Sequence, residues 1–284
     1  MEVGIGLPTT IPGVESRQVL EWGQRAERAG FSTLGVLDRI VYPNYEPLVS
    51  LGAVAAVTER IHLTTGILIA PYRVNAALLA KQAATVQDLS GGRFELGIAI
   101  GAREDDYEAS GVSMDGRGRR LEEMLDEIKR IWAGEERGFA GAIGPPVDPP
   151  TILVGGMVDA AFRRAAEYGD GWIMGGGTPD QFAEAREKLL TAWSDAGREG
   201  TPKTASLAYF ALGDTAKDDA RSSIGHYYAW LGDYAEAIVG SVASSEEMVK
   251  GYAQAFGGAG CDELIFFPSS SDPEQVDLLA AAAL

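Results

Sequence analysis

The chain has 284 residues, 46% hydrophobic and 23% charged, the balance of a globular protein with ample core. Its 41 acidic and 24 basic side chains leave a formal net charge of −17, a surface that repels phosphate backbones and anionic membranes and sets nucleic-acid and lipid partners aside. A lone cysteine, Cys261, excludes an internal disulfide and a thiolate metal cluster, and two histidines, His62 and His226, are too few for a His-rich metal site.

The opening Glu2-Val3-Gly4-Ile5-Gly6-Leu7 reads as a buried strand and not as a secretion signal, so the cytoplasm is the expected compartment. Further strands are predicted at Thr33–Leu37, Ile61–Ile69, Phe94–Ile100, Ile152–Val154, Gly171–Met174, Ala205–Leu212 and Glu263–Phe267, with the first at Val3–Leu7. Helical periods lie between them. The first places Val19, Trp22, Ala26 and Ala29 on one face and ends at Gly30, a good left-handed cap. Another starts at Asn75, carries Leu79, Ala83 and Val86, and stops at Gly91-Gly92. A longer one follows Ser113, with Leu121, Leu125, Ile128 and Trp132 in a stripe.

Strands alternating with helices require crossovers and a parallel sheet, and eight such units favour closure into a (β/α)₈ TIM barrel over an open doubly wound sheet. The whole of residues 1–284 reads as a single α/β domain. The Pro/Gly-rich stretch Gly138 to Pro150 is a loop insertion and not a linker, because neither half alone would have a closed sheet. A second irregular region, Gly225 to Ser245, holds His226-Tyr227-Tyr228 and a helical tail.

In such a barrel function collects at the C-terminal ends of the strands. That rule selects Asp38-Arg39, Gly66 through Pro71, Gly101 to Asp106, Gly155-Gly156-Met157, Gly175-Gly176-Gly177 and Pro268-Ser269-Ser270. Two adjacent glycine-lined helix entrances, after strands five and six, can present backbone N–H groups to a phosphate, or can simply make tight turns. Asp38 can accept a ring N–H and Arg39 can face an anionic group, or the two can form a local salt bridge. Glu104-Asp105-Asp106 reads as a solvated or helix-capping run more readily than as a hard-metal site. Arg39 and His226 are the candidate catalytic residues; Arg73 and Arg103 are candidate anion contacts, and Cys261 is expected to be an inert buried thiol.

The chain resembles the bacterial luciferase-like superfamily of flavin- and deazaflavin-dependent oxidoreductases. The resemblance runs from Val3-Gly4-Ile5-Gly6-Leu7-Pro8 to Cys261-Asp262-Glu263-Leu264-Ile265-Phe266. Its most specific block is Thr58-Glu59-Arg60-Ile61-His62-Leu63-Thr64-Thr65-Gly66 through Asn75 to Lys81-Gln82, continuing into Leu89-Ser90-Gly91-Gly92-Arg93-Phe94-Glu95-Leu96-Gly97-Ile98. The resemblance implies a cofactor ring over the strand ends, FMN or the deazaflavin coenzyme F420, with its phosphate near Gly155, Gly156, Met157, Gly175, Gly176 and Gly177. It implies ring contacts at Asp38 and Asp105, and a non-prolyl cis peptide at Gly66-Ile67.

Two departures bear on the chemistry. Many deazaflavin-using relatives carry Asp-His after strand two, where this chain has Asp38-Arg39, so the histidine's acid–base role does not transfer. Many FMN-using relatives place a hydroxyl residue after the strand-five glycines; Met157 stands there and tilts the choice toward F420. By the same resemblance the substrate is a small organic molecule, the protein a homodimer, and a separate reductase a possible supplier of reduced cofactor. A cofactor-binding barrel without turnover, or a metal-dependent lyase on the same fold, are the alternative readings.

Overall fold

A computed structural model describes all of residues 1–284 and shows eight parallel strands closing into a ring. They are β1 (Glu2–Gly6), β2 (Thr33–Val36), β3 (His62–Thr65, resuming at Leu68–Ile69), β4 (Phe94–Ala99), β5 (Thr151–Gly155), β6 (Gly171–Met174), β7 (Lys203–Phe210) and β8 (Glu263–Pro268). β1 pairs with β2 and β8, and every sequential neighbour pairs in turn, so that no edge is left. The third strand is not continuous as expected. Leu63 and Thr64 pair with Phe94 and Glu95, whereas Leu68 and Ile69 pair with Ile98 and Ala99. Four residues on one strand therefore span three on the other, a bulge whose extra residue sits at the Gly66–Ile67 break, where the peptide is cis.

Helices cover the outside: α1 (Ser16–Ala29), α2 (Pro47–Ala55), α3 (Ala76–Leu89), α4 (Glu104–Ala109), α5 (Arg117–Trp132), α6 (Asp159–Tyr168), α7 (Pro179–Asp195), α8 (Ala216–Tyr227), α9 (Tyr234–Gly240), α10 (Glu246–Gly258) and α11 (Glu274–Ala283). The expected caps form: Gly30 ends α1 at φ 98°, and the Asn75 side chain accepts the Leu78 N–H at the start of α3. Outward strand residues such as Ile5, Leu34, Leu96, Val154 and Phe266 pack on the helices in the main core. The inward set alternates with it, and Leu153, Ile173, Ala205, Leu207, Ile265 and Phe267 fill the barrel. Phe267 fits only because Gly6 and Gly35 face it; a Cβ at Gly6 or Gly35 would collide with its ring.

The N-terminal end of the barrel is closed by an ion cluster. Lys203 Nζ lies 2.6 Å from Glu95 Oε1 and 3.5 Å from Glu263 Oε2, and Ser32 Oγ donates to Glu263 at 2.6 Å. The 138–150 stretch is a loop joining α5 to β5, tied down by Lys81 Nζ to the Gly144 carbonyl and Gln87 Nε2 to the Asp148 carbonyl. The 225–245 region is more regular than its sequence suggests. It contains the end of α8, a 3₁₀ turn at Ala229–Leu231 and all of α9. Only Ala235 is buried in α9, so no apolar period announces that helix. No helix is long and apolar enough to cross a membrane. Cys261 is buried, its Sγ bonded to the Glu263 carbonyl, and desolvation pushes the thiol up to about 12.

Candidate active site

Asp38 and Arg39 leave the end of β2 toward different partners. Asp38 Oδ2 accepts the Ile69 N–H at 2.9 Å, and Oδ1 lies 2.9 Å from Arg73 Nη2. Burial raises its carboxyl above the ordinary range, against the pull of Arg73 and of the Ile69 amide. Arg73 reaches Glu46 with its other Nη at 3.0 Å. Arg39 instead spans to the loop after β4. Its Nε donates to Asp106 Oδ2 at 2.8 Å, and its Nη2 to Asp105 Oδ2 at 3.0 Å and to the Val41 carbonyl at 2.8 Å. The local Asp38–Arg39 salt bridge is therefore replaced by two longer-range pairs that tie β2 to β3 and to β4.

The acidic run at the start of α4 is not solvated as a whole. Asp106 is buried, and its Oδ1 accepts the N–H groups of Ile40 and Val41 at 3.0 and 2.7 Å while Oδ2 meets Arg39. Asp105 is half-exposed and accepts the Asp106 N–H at 3.0 Å, which is the capping part of the expectation. These carboxylates brace the polypeptide after β2.

Over the strand ends lies a cavity. Asp38 and Arg39 form one side, Gly66, Ile67 and Ile69 the floor at the β3 break, and Gly101, Arg103, Asp106 and Tyr107 the next side. Gly175, Leu207 and Tyr209 continue the wall from β6 and β7; Tyr227, Tyr228 and Trp230 cover it from the end of α8. Tyr209 and Tyr228 share a hydroxyl–hydroxyl hydrogen bond of 2.7 Å. The Arg39 guanidinium carbon stands 5.4 Å from the Tyr42 ring centre and 5.6 Å from that of Tyr227, and Arg103 lies 4.6 Å from Trp230. Buried Arg39 Nη1 and Arg103 Nε have no acceptor. Burial keeps the phenols protonated: Tyr107 is pushed up to about 12, and Tyr72, Tyr209, Tyr227 and Tyr228 are all raised, chiefly by desolvation.

Of the residues singled out in the sequence, Asp38, Arg39, Gly66, Ile67, Ile69, Gly101, Ala102, Arg103, Asp106 and Gly175 meet at this cavity, as do Tyr227 and Tyr228 of the second irregular region. Asp105 stands behind Arg39, off the wall. His226 is exposed and also off the wall, with Nδ1 bonded to Tyr42 Oη at 2.8 Å. The glycine segments part company. A Cβ at Gly155 would strike the Ile67 side chain, so this glycine makes room for the floor of the cavity. Gly156 sits at φ 131°, its carbonyl bonded to Trp172 Nε1 at 2.7 Å, and Met157 is exposed where α6 begins. Val158, the residue capping α6, brings no side-chain acceptor, so that entrance stays open. The entrance to α7 does not: after Gly176 and Gly177, Thr178 and Gln181 cap each other's N–H groups at 3.2 and 2.9 Å. Tyr72, Tyr107, Leu207, Tyr209 and Trp230 also line the cavity without having been singled out. Leu207 and Tyr209 were accessible to sequence reasoning, since they alternate on one face of β7 up to its C-terminal end.

The family model described as luciferase-like monooxygenase matches residues 1–259. A protein of Mycobacterium tuberculosis described as uncharacterized is 33% identical over 204 residues, 61% of this chain and 70% of its own. The F420-dependent hydroxymycolic acid dehydrogenase of the same organism is 28% identical over 245 residues, 78% of this chain and 66% of that protein. Among solved structures, an F420-dependent secondary alcohol dehydrogenase in complex with an F420-acetone adduct superposes with a TM-score of 0.83 at 19% identity, covering 99% of this chain and 97% of that one. The oxygenating constituent of 3,6-diketocamphane monooxygenase from the CAM plasmid of Pseudomonas putida, in complex with FMN, superposes with a TM-score of 0.76 at 20% identity, covering 99% and 96%. At those identities the structural likeness establishes the barrel; structural neighbours of both cofactor types share it.

Proposed function

This chain belongs to the luciferase-like monooxygenase family, and on that premise we propose that it is a cytoplasmic, single-domain oxidoreductase that binds coenzyme F420 across its strand ends and acts on a small organic compound. One observation carries the reading: Asp38, Gly66, Ile67 and Gly175 come from the ends of β2 and β6 and the break in β3, and line one cavity. The residues suit a flat ring. Ile67 and Ile69 offer an apolar floor, and no heavy atom lies within 4 Å of where a Cβ of Gly175 would stand. The uncapped entrance to α6, beside Gly155, Gly156 and Met157, suits an anionic tail.

When bound, a reduced deazaflavin supplies hydride equivalents, and reduced FMN a route to oxygen. The chain's own residues orient and enclose. Arg39 presents a planar guanidinium to the cavity, suited to stabilising negative charge. With His226 off the wall, the hydroxyls at the cavity are those of tyrosines, which burial keeps protonated. Tyr227, Tyr228 and Trp230 form a cover that excludes water.

The deciding experiment is titration of the purified protein with oxidised and reduced F420 and FMN, read by absorbance and fluorescence. Saturable binding of F420 in preference to FMN is expected. Preference for FMN would move the reading to monooxygenation with a separate reductase, and saturable binding of neither would remove it. A bound cofactor that no compound in a broad panel reoxidises would leave a barrel without turnover. Exposed Val49, Val74 and Leu78, on or beside α2 and α3, support a homodimer, expected as twice the chain mass in light scattering.

A further inference from the structure

Building on the cofactor reading above, we infer that the cavity takes an uncharged, largely aromatic or alicyclic substrate bearing one hydrogen-bond-accepting oxygen, held by the Tyr209–Tyr228 hydroxyl pair. Tyr209 stands one residue from the end of β7 and Tyr228 directly follows α8; both line the cavity. Their hydroxyl oxygens are 2.7 Å apart, and neither has another partner in the chain. Two hydroxyls carry two protons, and their mutual bond uses one. The other is left to donate, in a setting where donors are rarely left unspent. Burial raises both phenols, so the pair keeps its protons across the neutral range and acts as a donor, not as an anion.

Charge on the wall argues against an ionic ligand. The charged lining residues are Arg39 and Arg103 against Asp38 and Asp106, two of each sign. Each already faces an opposite charge: Arg39 meets Asp106 at 2.8 Å, Asp38 meets Arg73 at 2.9 Å, and Arg103 lies 3.6 Å from Asp105. An ion entering here would give up its hydration and meet only charges that are already paired, with single N–H groups of Arg39 and Arg103 left over to receive it. Leu207, Tyr227 and Trp230 add apolar and aromatic wall, and Tyr72, packed edge-on against Tyr107, adds a further ring whose buried hydroxyl has no hydrogen-bond partner. Tyr227 meets Tyr228 edge-on at 4.9 Å, a geometry that presents ring faces and edges to a flat guest.

The test uses acetophenone, ethylbenzene and benzoate as probes on the cofactor-loaded protein, with dissociation constants from saturation-transfer NMR titration at pH 7.5. Acetophenone is expected to bind about fivefold more tightly than ethylbenzene, the worth of one net hydrogen bond, with benzoate the weakest. Tyr209→Phe and Tyr228→Phe singly should keep that preference, because the surviving hydroxyl loses its partner and still donates. The double variant should lose it, to within about twofold, while ethylbenzene and the cofactor bind as before; removing both partners with isosteric rings leaves no orphaned group and preserves the fold. Equal binding of acetophenone and ethylbenzene, a double variant that keeps the preference, or no saturable binding of any probe would overturn the inference. So would preference for benzoate, which would shift recognition to the free Nη1 of Arg39. Cofactor titration is read separately: its failure defeats the cofactor reading, and the probe ranking repeated without cofactor still decides this one.

Discussion

Replacing Arg93 with methionine separates stability from function across the barrel. Arg93 immediately precedes β4, at the N-terminal face, far from the cavity. Its Nε donates to the Ser90 carbonyl at 2.7 Å, Nη2 to the Thr58 carbonyl at 2.9 Å, and Nη1 to Thr58 Oγ1 at 3.2 Å and to the Ile61 carbonyl. Glu27 completes the clamp by accepting the N–H groups of Glu59, Arg60 and Ile61, which hold its carboxyl below the ordinary range despite burial. Methionine keeps most of the stem's packing and removes these hydrogen bonds, together with the longer one from Nη2 to the Ala55 carbonyl at 3.4 Å. At about 1 kcal/mol each, reduced by water reaching the half-buried site, the loss is about 3–4 kcal/mol. With a urea slope of about 3 kcal/mol per molar, the unfolding midpoint should fall by about 1 M. Cofactor affinity of the folded variant should be unchanged. A midpoint that stays put while cofactor affinity falls would refute the assignment of this segment to stability.

Gly155→Ala should weaken cofactor binding about tenfold or more, because the new methyl displaces Ile67, and Ile67→Val in the same chain should restore most of it; failure of the second change to rescue would reject Ile67 as the floor. Asp106→Asn turns an amide toward Arg39 Nε and leaves the buried guanidinium with half-exposed Asp105 as its remaining counter-charge, a cost of about 3 kcal/mol measurable by calorimetry. The double change Arg39→Met with Asp106→Leu should recover much of that, and a single variant no worse than a surface substitution would contradict the brace. Lys203 gives a pH signature. Burial opposes its charge, but Glu95 and Glu263 hold the ammonium above its usual range. A raised folded value means stability that is whole below the unfolded value of about 10.4 and fades as pH climbs through the folded one. Melting temperatures from pH 8 to 11.5 should therefore fall more steeply for the native chain than for Lys203→Met, which starts lower; parallel curves would reject the cluster as the source.

The architecture was largely legible because alternating apolar runs and capped helical stripes carry their own period. Gly171–Met174 was found to the residue, and the other strands within about two residues at either end, the usual limit of boundary reading. The split of β3 was not visible in periodicity, since Ile61–Ile69 carries apolar and β-branched residues on both sides of Gly66; the location of the cis peptide came from resemblance and matches the structure. At the site, the rule that function sits at strand ends found Asp38, Arg39, Gly66, Ile67, Ile69, Gly175 and the lining part of Gly101 to Asp106. It could not distinguish glycines that turn the chain from one that makes room for a neighbour, and Gly155 is of the second kind. Nor could it pair Tyr209 with Tyr228, or Arg39 with Asp106, because those partners meet only when separate loops fold over the same opening.

Arg93 and Arg39 show why residue type alone does not mark a site. Both are largely enclosed and both lie next to a strand end, yet the block around Arg93 is the more distinctive in sequence. Every donor of Arg93 is spent, on neutral carbonyl and hydroxyl oxygens of its own chain, and nothing remains for a ligand. Arg39 is held by carboxylates from the first turn of α4 and still keeps Nη1 without an acceptor, at the wall of the cavity. A donor set closed at one face of the barrel gives rigidity; one left open at the other face keeps capacity for a guest. The distinction lies in the acceptors, and it follows from which end of the parallel strands each arginine occupies.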